Sequence, residues 1–325
     1  MAETVQTGQS RTPQLVRAAS LVNAAQIAHD TEVRQSPNGV SFATFGETGL
    51  ADLDLDRMLE TVPTAITASL KANPYYFVPL ALREAAADGP DTSPDNPEDL
   101  LKSEAAAEPT MVASAYTDEF SDAAICHRNV ELGHGRRGVF ISTRLMGDRF
   151  ALSFEFFINV AHAFVDQAGV PEAFAELVWQ QALSNVRGET SLDAWESRNL
   201  AMGRPANAEP EATSPRRNRA LMSASSFAAT ARSRSFGSIA PALAASASTA
   251  AADEKERALF VESAFSDAVA IYLLSLALDF DYSELREREY PLLAPAALAT
   301  RLKLVAELFP PNAEYEFAVK YRRRA

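Results

Sequence analysis

The spacing of apolar residues predicts helices over most of the chain. Apolar positions recur every three or four residues in many segments, as on the buried face of an amphipathic helix. The run 149–168 is apolar on several faces and predicts a buried helix that ends at Gly169. The clearest helix is 253–278, with acidic residues in its first turn, where the macrodipole favours them. The remaining predicted helices span 12–30, 50–61, 63–72, 75–87, 111–126, 172–186, 191–200 and 295–308.

Strand patterns are few and short. Segment 40–45 alternates apolar and polar residues, and 139–145 is a second candidate strand, followed by a Gly147-Asp148 turn. The chain of 325 residues holds 60 alanines and only 13 glycines, and abundant Ala favours helices. The predicted fold class is therefore mostly α: a helical body with a small β-hairpin or sheet and a long internal low-complexity arm.

The low-complexity arm spans 204–252. Ala, Ser and Pro fill 29 of its 49 positions, a composition typical of disordered segments. It separates a mainly helical domain, 12–203, from a C-terminal helical block, 253–325. We expect that block to pack on the first domain or on a neighbouring subunit, because about 70 residues make a small core. Residues 1–11 are predicted to be a flexible N-terminus.

The arm is basic within an acidic protein. The net charge of the whole chain is −13, yet the arm has no Asp or Glu after Glu211. This asymmetry suggests a polyanion as partner, and the planar guanidinium of Arg bonds two phosphate oxygens at once. A solvated linker without a partner and contact with an acidic protein surface are the alternatives. The predicted nucleic-acid-binding residues are the five arginines of the arm, Arg216, Arg217, Arg219, Arg232 and Arg234.

Cysteine content and the N-terminal sequence indicate an intracellular protein. The single cysteine, Cys126, excludes a disulfide within one chain and a zinc site built on several cysteines. The first ten residues lack the basic flank and apolar run of a signal peptide. The longest apolar stretch, 258–278, contains Glu262 and Asp267 and is too polar for a bilayer, so no membrane partner is expected.

One arrangement of acidic and histidine residues suggests a metal-dependent hydrolase as an alternative. His162 and Asp166 are four residues apart on a predicted helix, and Glu262 lies on another, which is loosely similar to zincin metallopeptidases. The zincin pattern H-E-x-x-H is not met, because Ala163 takes the place of the catalytic glutamate and Asp166 that of the second histidine. Without that base the usual hydrolysis fails.

Other catalytic patterns are missing from the sequence. It contains no G-x-S-x-G, no Walker loop and no G-x-G-x-x-G. We therefore predict no catalytic residue, no metal ligand and no cofactor. The sequence HGRRG, residues 134–138, is a candidate anion-binding loop, although a polar surface turn explains it equally well.

The composition resembles that of a known protein family. Ala, Ser and Pro total 105 residues, and the bias peaks in the arginine-bearing arm. In this the chain is similar to the proline-alanine-serine-rich proteins of polymycoviruses, which are fungal double-stranded RNA viruses. The resemblance implies association with RNA in place of a conventional capsid, self-assembly, and a location in the virion or host cytoplasm.

The leading hypothesis is thus a non-enzymatic structural protein that forms homo-oligomers and coats or contacts RNA through the arm, with double-stranded RNA as one candidate. The zincin-like hydrolase is one alternative. The other is an adaptor or assembly subunit of a larger complex, with the arm threading along a partner.

Overall fold

The structure, a computed structural model, describes residues 19–70, 73–83, 110–133, 136–144, 148–206, 245–279, 282 and 290–318. The predicted flexible N-terminus, the predicted loop 88–109 and most of the arm lie outside these ranges.

The fold combines helices with two sheets, so the prediction of a mostly α protein is wrong. Helices make up 51% of the structure and strands 16%. One sheet has four strands and the other has five. The strands within the described ranges are β1 (Leu21–Asn23), β2 (Arg34–Gln35), β3 (Ser41–Thr44), β4 (Tyr75–Val78), β5 (Leu80–Leu82), β6 (Met111–Ala113), β7 (Ala124–Ile125), β8 (His127–Glu131) and β9 (Arg137–Ser142).

The two sheets differ in strand direction. The four-stranded sheet has the order β1-β6-β5-β7, and every neighbouring pair is antiparallel. The five-stranded sheet has the order β2-β3-β4-β9-β8. Its central strands β3, β4 and β9 are parallel, and an antiparallel strand lies at each edge. The carboxyl ends of the three parallel strands therefore meet at one edge of the sheet.

The segment 75–87, predicted as a helix, forms β4 and β5 instead. Every residue from Tyr75 to Leu82 is buried. A strand covered on both faces shows a continuous apolar run rather than alternation, and over a few residues such a run cannot be told from a buried helix. The aromatic and β-branched residues of the run favour a strand.

Two other segments that were predicted to be continuous helices contain paired strands. The segment 111–126 contains β6, one helical turn and β7 rather than a continuous helix. In 12–30, the described part begins with β1, whose Leu21 and Asn23 lie opposite Ala113 and Met111 of β6. The helix starts only at Ala24, where the side chain of Asn23 caps it by accepting from the Ala25 N–H. Strands β1 and β6, about 90 residues apart in the sequence, pair with each other, and β7 pairs with β5. This long-range pairing, rather than the local sequence pattern, determines the secondary structure of both segments.

Ser142 joins the two sheets at a corner. The chain passes from the five-stranded to the four-stranded sheet at Pro79, between β4 and β5, and back again at Cys126, between β7 and β8. The Ser142 hydroxyl accepts from the Ala81 N–H (2.7 Å) and donates to the Ile125 carbonyl (2.5 Å). One buried side chain thus bridges the two strand segments that leave the five-stranded sheet.

Helices cover one face of the five-stranded sheet. The predicted helices 149–168 and 295–308 are confirmed with those bounds, whereas the helix predicted to start at 253 begins eight residues earlier. The helices are α1 (Ala24–Asp30), α2 (Asp52–Glu60), α3 (Thr64–Leu70), α4 (Asp118–Ser121), α5 (Arg149–Ala168), α6 (Glu172–Leu183), α7 (Leu192–Ala201), α8 (Ala245–Ala277) and α9 (Pro295–Leu308).

Helix α8 is central to the main hydrophobic core. It packs against α5, α7 and α9, and its residues share one cluster with the inner faces of β3, β4 and β9. Aromatic rings fill the centre, with Phe265 of α8 in contact with Phe164, Phe174 and Phe309. The part of α8 from Glu254 to Ala277 is long and apolar enough to cross a membrane, but 72% of its most apolar window is buried inside the protein.

Candidate functional site

The five arginines predicted to bind nucleic acid lie outside the described residues. The structure does define where their segment leaves and re-enters the protein. The last described residue before the segment is Ala206, directly after α7, and the description resumes at Ala245, the first residue of α8.

The exit from α7 is held by several hydrogen bonds. Gly203 has a φ of +69°, a left-handed conformation that turns the chain away from the helix. The Arg204 N–H donates to the Asn199 carbonyl (2.7 Å), and the Asn199 side-chain amide donates to the Ala206 carbonyl (3.1 Å). The Arg204 guanidinium donates to the side-chain oxygen of Asn185 (3.3 Å). The segment thus starts from a fixed point on the body.

The segment is followed by α8, which begins at Ala245. Helices α7 and α8 pack against each other. A surface pocket of about 310 Å³ lies where these two helices meet α6. It is lined by Trp179, Ala201, Glu254 and Arg257. The two helices that the arginine-rich segment connects therefore both contribute residues to one pocket.

The pocket combines planar and charged groups. The Arg257 guanidinium lies 4.6 Å from the centre of the Trp179 ring, within the range of a cation–π contact. Arg204, three residues after the end of α7, and Lys255, next to Glu254 on α8, are exposed cations. Aromatic rings and arginine planes are groups on which nucleic-acid bases stack, and cations attract phosphate. Sequence patterns missed this site because its residues come from three separate helices.

The three residues of the alternative metal site are not brought together as a metal centre. His162 and Asp166 are exposed on α5, while Glu262 is half-buried on α8. Within the described parts of the chain, no three His, Cys, Asp or Glu side chains are grouped so that they could hold a metal ion. The prediction that His162 and Asp166 lie on a helix is confirmed.

The structure reveals instead a histidine–glutamate pair that the sequence did not suggest. His127 lies at the start of β8, at the edge where β3, β4 and β9 end, and its Nδ1 contacts a carboxylate oxygen of Glu155 on α5. Asn159, one turn later, donates its side-chain amide to the same oxygen (3.1 Å). The His127 side chain is 27% exposed and that of Glu155 is 8% exposed. A carboxylate in contact with Nδ1 fixes the orientation of the imidazole ring.

The neighbouring Cys126 is not an activated nucleophile. Burial, and secondarily the Glu155 carboxylate, raise the pKa of the Cys126 thiol well above its usual range. The thiol therefore stays protonated at neutral pH, and only the thiolate is nucleophilic. One sequence signal for the His127 pair existed: Glu155 is a lone charge within the apolar run of α5.

A second buried polar cluster holds the C-terminal helices to the rest of the body. The Glu189 carboxylate accepts from Arg301 of α9 (2.9 and 3.3 Å) and from Arg198 of α7 (3.1 Å). Beside it, Asp267 of α8 accepts from the Thr190 hydroxyl (2.8 Å). Burial raises the pKa of Asp267 to about 7, although hydrogen bonds from Ser191 and Thr190 oppose the shift. The cluster links four chain segments, namely the segment of Glu189 and Thr190 and helices α7, α8 and α9, and we therefore interpret it as stabilising the fold.

Comparison with known proteins adds no relative. No protein-family model, no curated protein and no solved structure matches the chain.

Proposed function

We propose that this protein is a self-associating structural protein that contacts RNA through its arginine-rich segment. The residues that meet phosphate are Arg216, Arg217, Arg219, Arg232 and Arg234. The folded α/β body supplies the contacts between copies. The observation that carries the proposal is that the segment connects two helices, α7 and α8, which pack against each other and both line the Trp179–Arg257 pocket.

That anchoring suits a polyanion-binding arm. Because the segment connects two packed helices of one body, its five arginines stay tethered to the body that also carries the exposed cations Arg204, Lys255 and Arg257. Neutralised phosphates release counterions, and this supplies affinity without reading the base sequence. The rest of the body is acidic, so the bound strand is directed to this surface rather than spread over the protein.

Strand β8 supplies a surface for self-association. It is an edge strand, and the bonds from Ser142 N–H to Cys126 O and from Leu132 N–H to Arg136 O show that its even-numbered residues pair with β9. The backbone of His127, Asn129 and Glu131 therefore points away from β9. Antiparallel pairing with a second copy about Asn129 would place His127 opposite Glu131 of that copy, so that complementary side chains face each other.

The direct test is purification from the native source or an RNA-containing host without nuclease. We expect absorbance at 260 nm in excess of that of the protein, which ribonuclease removes and deoxyribonuclease does not. A preparation that is free of nucleic acid would overturn the proposal and favour an adaptor subunit. Self-association is checked by light scattering, where Asn129→Pro removes one edge N–H without breaking the β8–β9 ladder. A smaller particle for this variant supports the β8 surface, and an unchanged one excludes it.

A further inference from the structure

The pocket between α6, α7 and α8 has the chemistry of a site for a single nucleobase. Its volume of about 310 Å³ is at the lower end of the range for small-molecule sites. The Arg257 guanidinium lies over the Trp179 ring, 4.6 Å from its centre, so the two groups form one stack in the wall, with Arg257 exposed. Both are planar groups on which a base stacks, and stacking on such groups is a main source of affinity for unpaired bases.

Glu254 gives the pocket a preference among the four bases. An ionised carboxylate only accepts hydrogen bonds, and it has two oxygens side by side. The Watson–Crick edge of guanine carries two adjacent donors, N1–H and the N2 amine, whereas each of the other three bases presents at least one acceptor at the matching position.

We propose that this pocket binds an unpaired guanine. The inference rests on the proposed function, because the base belongs to the RNA whose phosphates the neighbouring arginines neutralise. It also extends that function: a base inside a duplex cannot enter the pocket, so the site selects strand ends, loops or single-stranded segments. The arm alone makes no such selection, since phosphate contacts carry no sequence information.

Trp179 provides its own reporter for the test. The chain has two tryptophans, Trp179 and Trp195, so the full-length Trp195→Phe variant leaves the pocket residue as the single indole fluorophore. This variant is titrated with GMP, AMP, CMP and UMP. We expect saturable quenching with GMP at concentrations about tenfold lower than with the other three, as one extra hydrogen bond to a charged group implies. Calorimetry on the unmodified chain repeats the measurement without any substitution.

Two matched variants assign the preference. Glu254→Gln should weaken GMP binding about tenfold and abolish the preference for guanine, whereas Glu256→Gln on the same helix should change nothing. Trp179→Ala should weaken binding of every nucleotide about tenfold or more. Quenching that is equal for the four nucleotides and insensitive to Glu254→Gln would overturn the inference, and so would no binding by fluorescence and calorimetry. Failure of the proposed function shows separately, as RNA affinity that is indifferent to the five arginines.

Discussion

Arg301 of α9 and Glu189 form a completely buried ion pair, with both side chains at 0% exposure and the closer N–O distance at 2.9 Å. The Arg301 Nε also donates to the Gln181 side chain of α6 (2.7 Å), and Arg198 donates to the same carboxylate from α7. One carboxylate therefore holds α7 and α9 together. Taking these charges out of water is unfavourable, so the cluster is stabilising only while every member is present.

We expect Glu189→Gln to lower the free energy of unfolding by about 3–5 kcal/mol, because two buried guanidinium groups lose their counter-ion. Urea denaturation followed by circular dichroism measures the change. Glu176→Gln is the matched control on the exposed face of α6, and its effect should stay within about 0.5 kcal/mol. Equal effects of the two substitutions would show that the cluster does not hold the helices.

Asp267 should make the protein less stable as the pH rises from about 4 to 7. Its pKa in the folded protein is about 7, against 3.8 for an ordinary aspartate, because burial disfavours the charged form. Between these values the unfolded chain releases the proton while the folded chain keeps it, so unfolding becomes more favourable with pH. The stabilisation is complete below pH 4 and lost above 7, and it amounts to about 4 kcal/mol at most.

The test compares urea unfolding of the parent and of Asp267→Asn between pH 4 and pH 8. Asn cannot ionise and keeps an oxygen that accepts from Thr190, so its stability should fall less over this range. Asp193 and Glu189 also act on Asp267, so Asp56→Asn on the exposed face of α2 serves as the control for general charge effects. The same pH slope in parent and Asp267→Asn would contradict the assignment.

Replacing Gly188 with alanine tests how tightly the backbone packs beside Glu189, and the same replacement at Gly169 is the control. Both have positive φ, +79° and +72°, so an alanine is strained at either position. At Gly188 an added Cβ would lie 2.2 Å from the Leu292 carbonyl oxygen, while at Gly169 it would meet nothing within 4 Å. We expect Gly169→Ala to cost about 1–2 kcal/mol in thermal or urea unfolding and Gly188→Ala about 1–3 kcal/mol more. Equal losses of stability would show that the positive φ alone, and not the nearby Leu292 backbone, requires glycine at position 188.

Ser142→Ala should weaken the corner between the two sheets. It leaves the Ala81 N–H and the Ile125 carbonyl without their side-chain partner, at an expected cost of about 1–3 kcal/mol. Ser121→Ala removes a comparable bond on an exposed helical turn, to the Asp118 carbonyl, and should cost less than about 0.5 kcal/mol. The free energy of unfolding of the two variants is measured in urea. Equal losses of stability would show that the Ser142 hydroxyl does not stabilise the corner between the sheets.

Sequence patterns predicted the long helices and the strands at 40–45 and 139–145, which are β3 and β9, but not the other strands or their assembly into two sheets. The helix at Arg149–Ala168 is bounded by local signals, an Asp148 cap and Gly169, and both bounds were predicted. The strands are two to six residues long and paired with distant segments, so their patterns are too short to be told from buried helix turns. Glu155, Glu189 and Arg301 look like ordinary charges in the sequence, because only the tertiary fold buries them.

The central claim is that the five arginines of the internal segment bind RNA through phosphate. It is tested by the affinity for double-stranded RNA of the parent and of a variant with Arg216, Arg217, Arg219, Arg232 and Arg234 all replaced by Ala, each at several salt concentrations. A control variant loses the same charge at five exposed cations of the body, Arg34, Arg57, Arg83, Arg187 and Lys303. Five phosphate contacts predict that the first variant lowers the slope of log affinity against log salt by about 4, and that the control changes it far less. Equal affinities and slopes for parent and arm variant, or an equal loss in both variants, would contradict the claim.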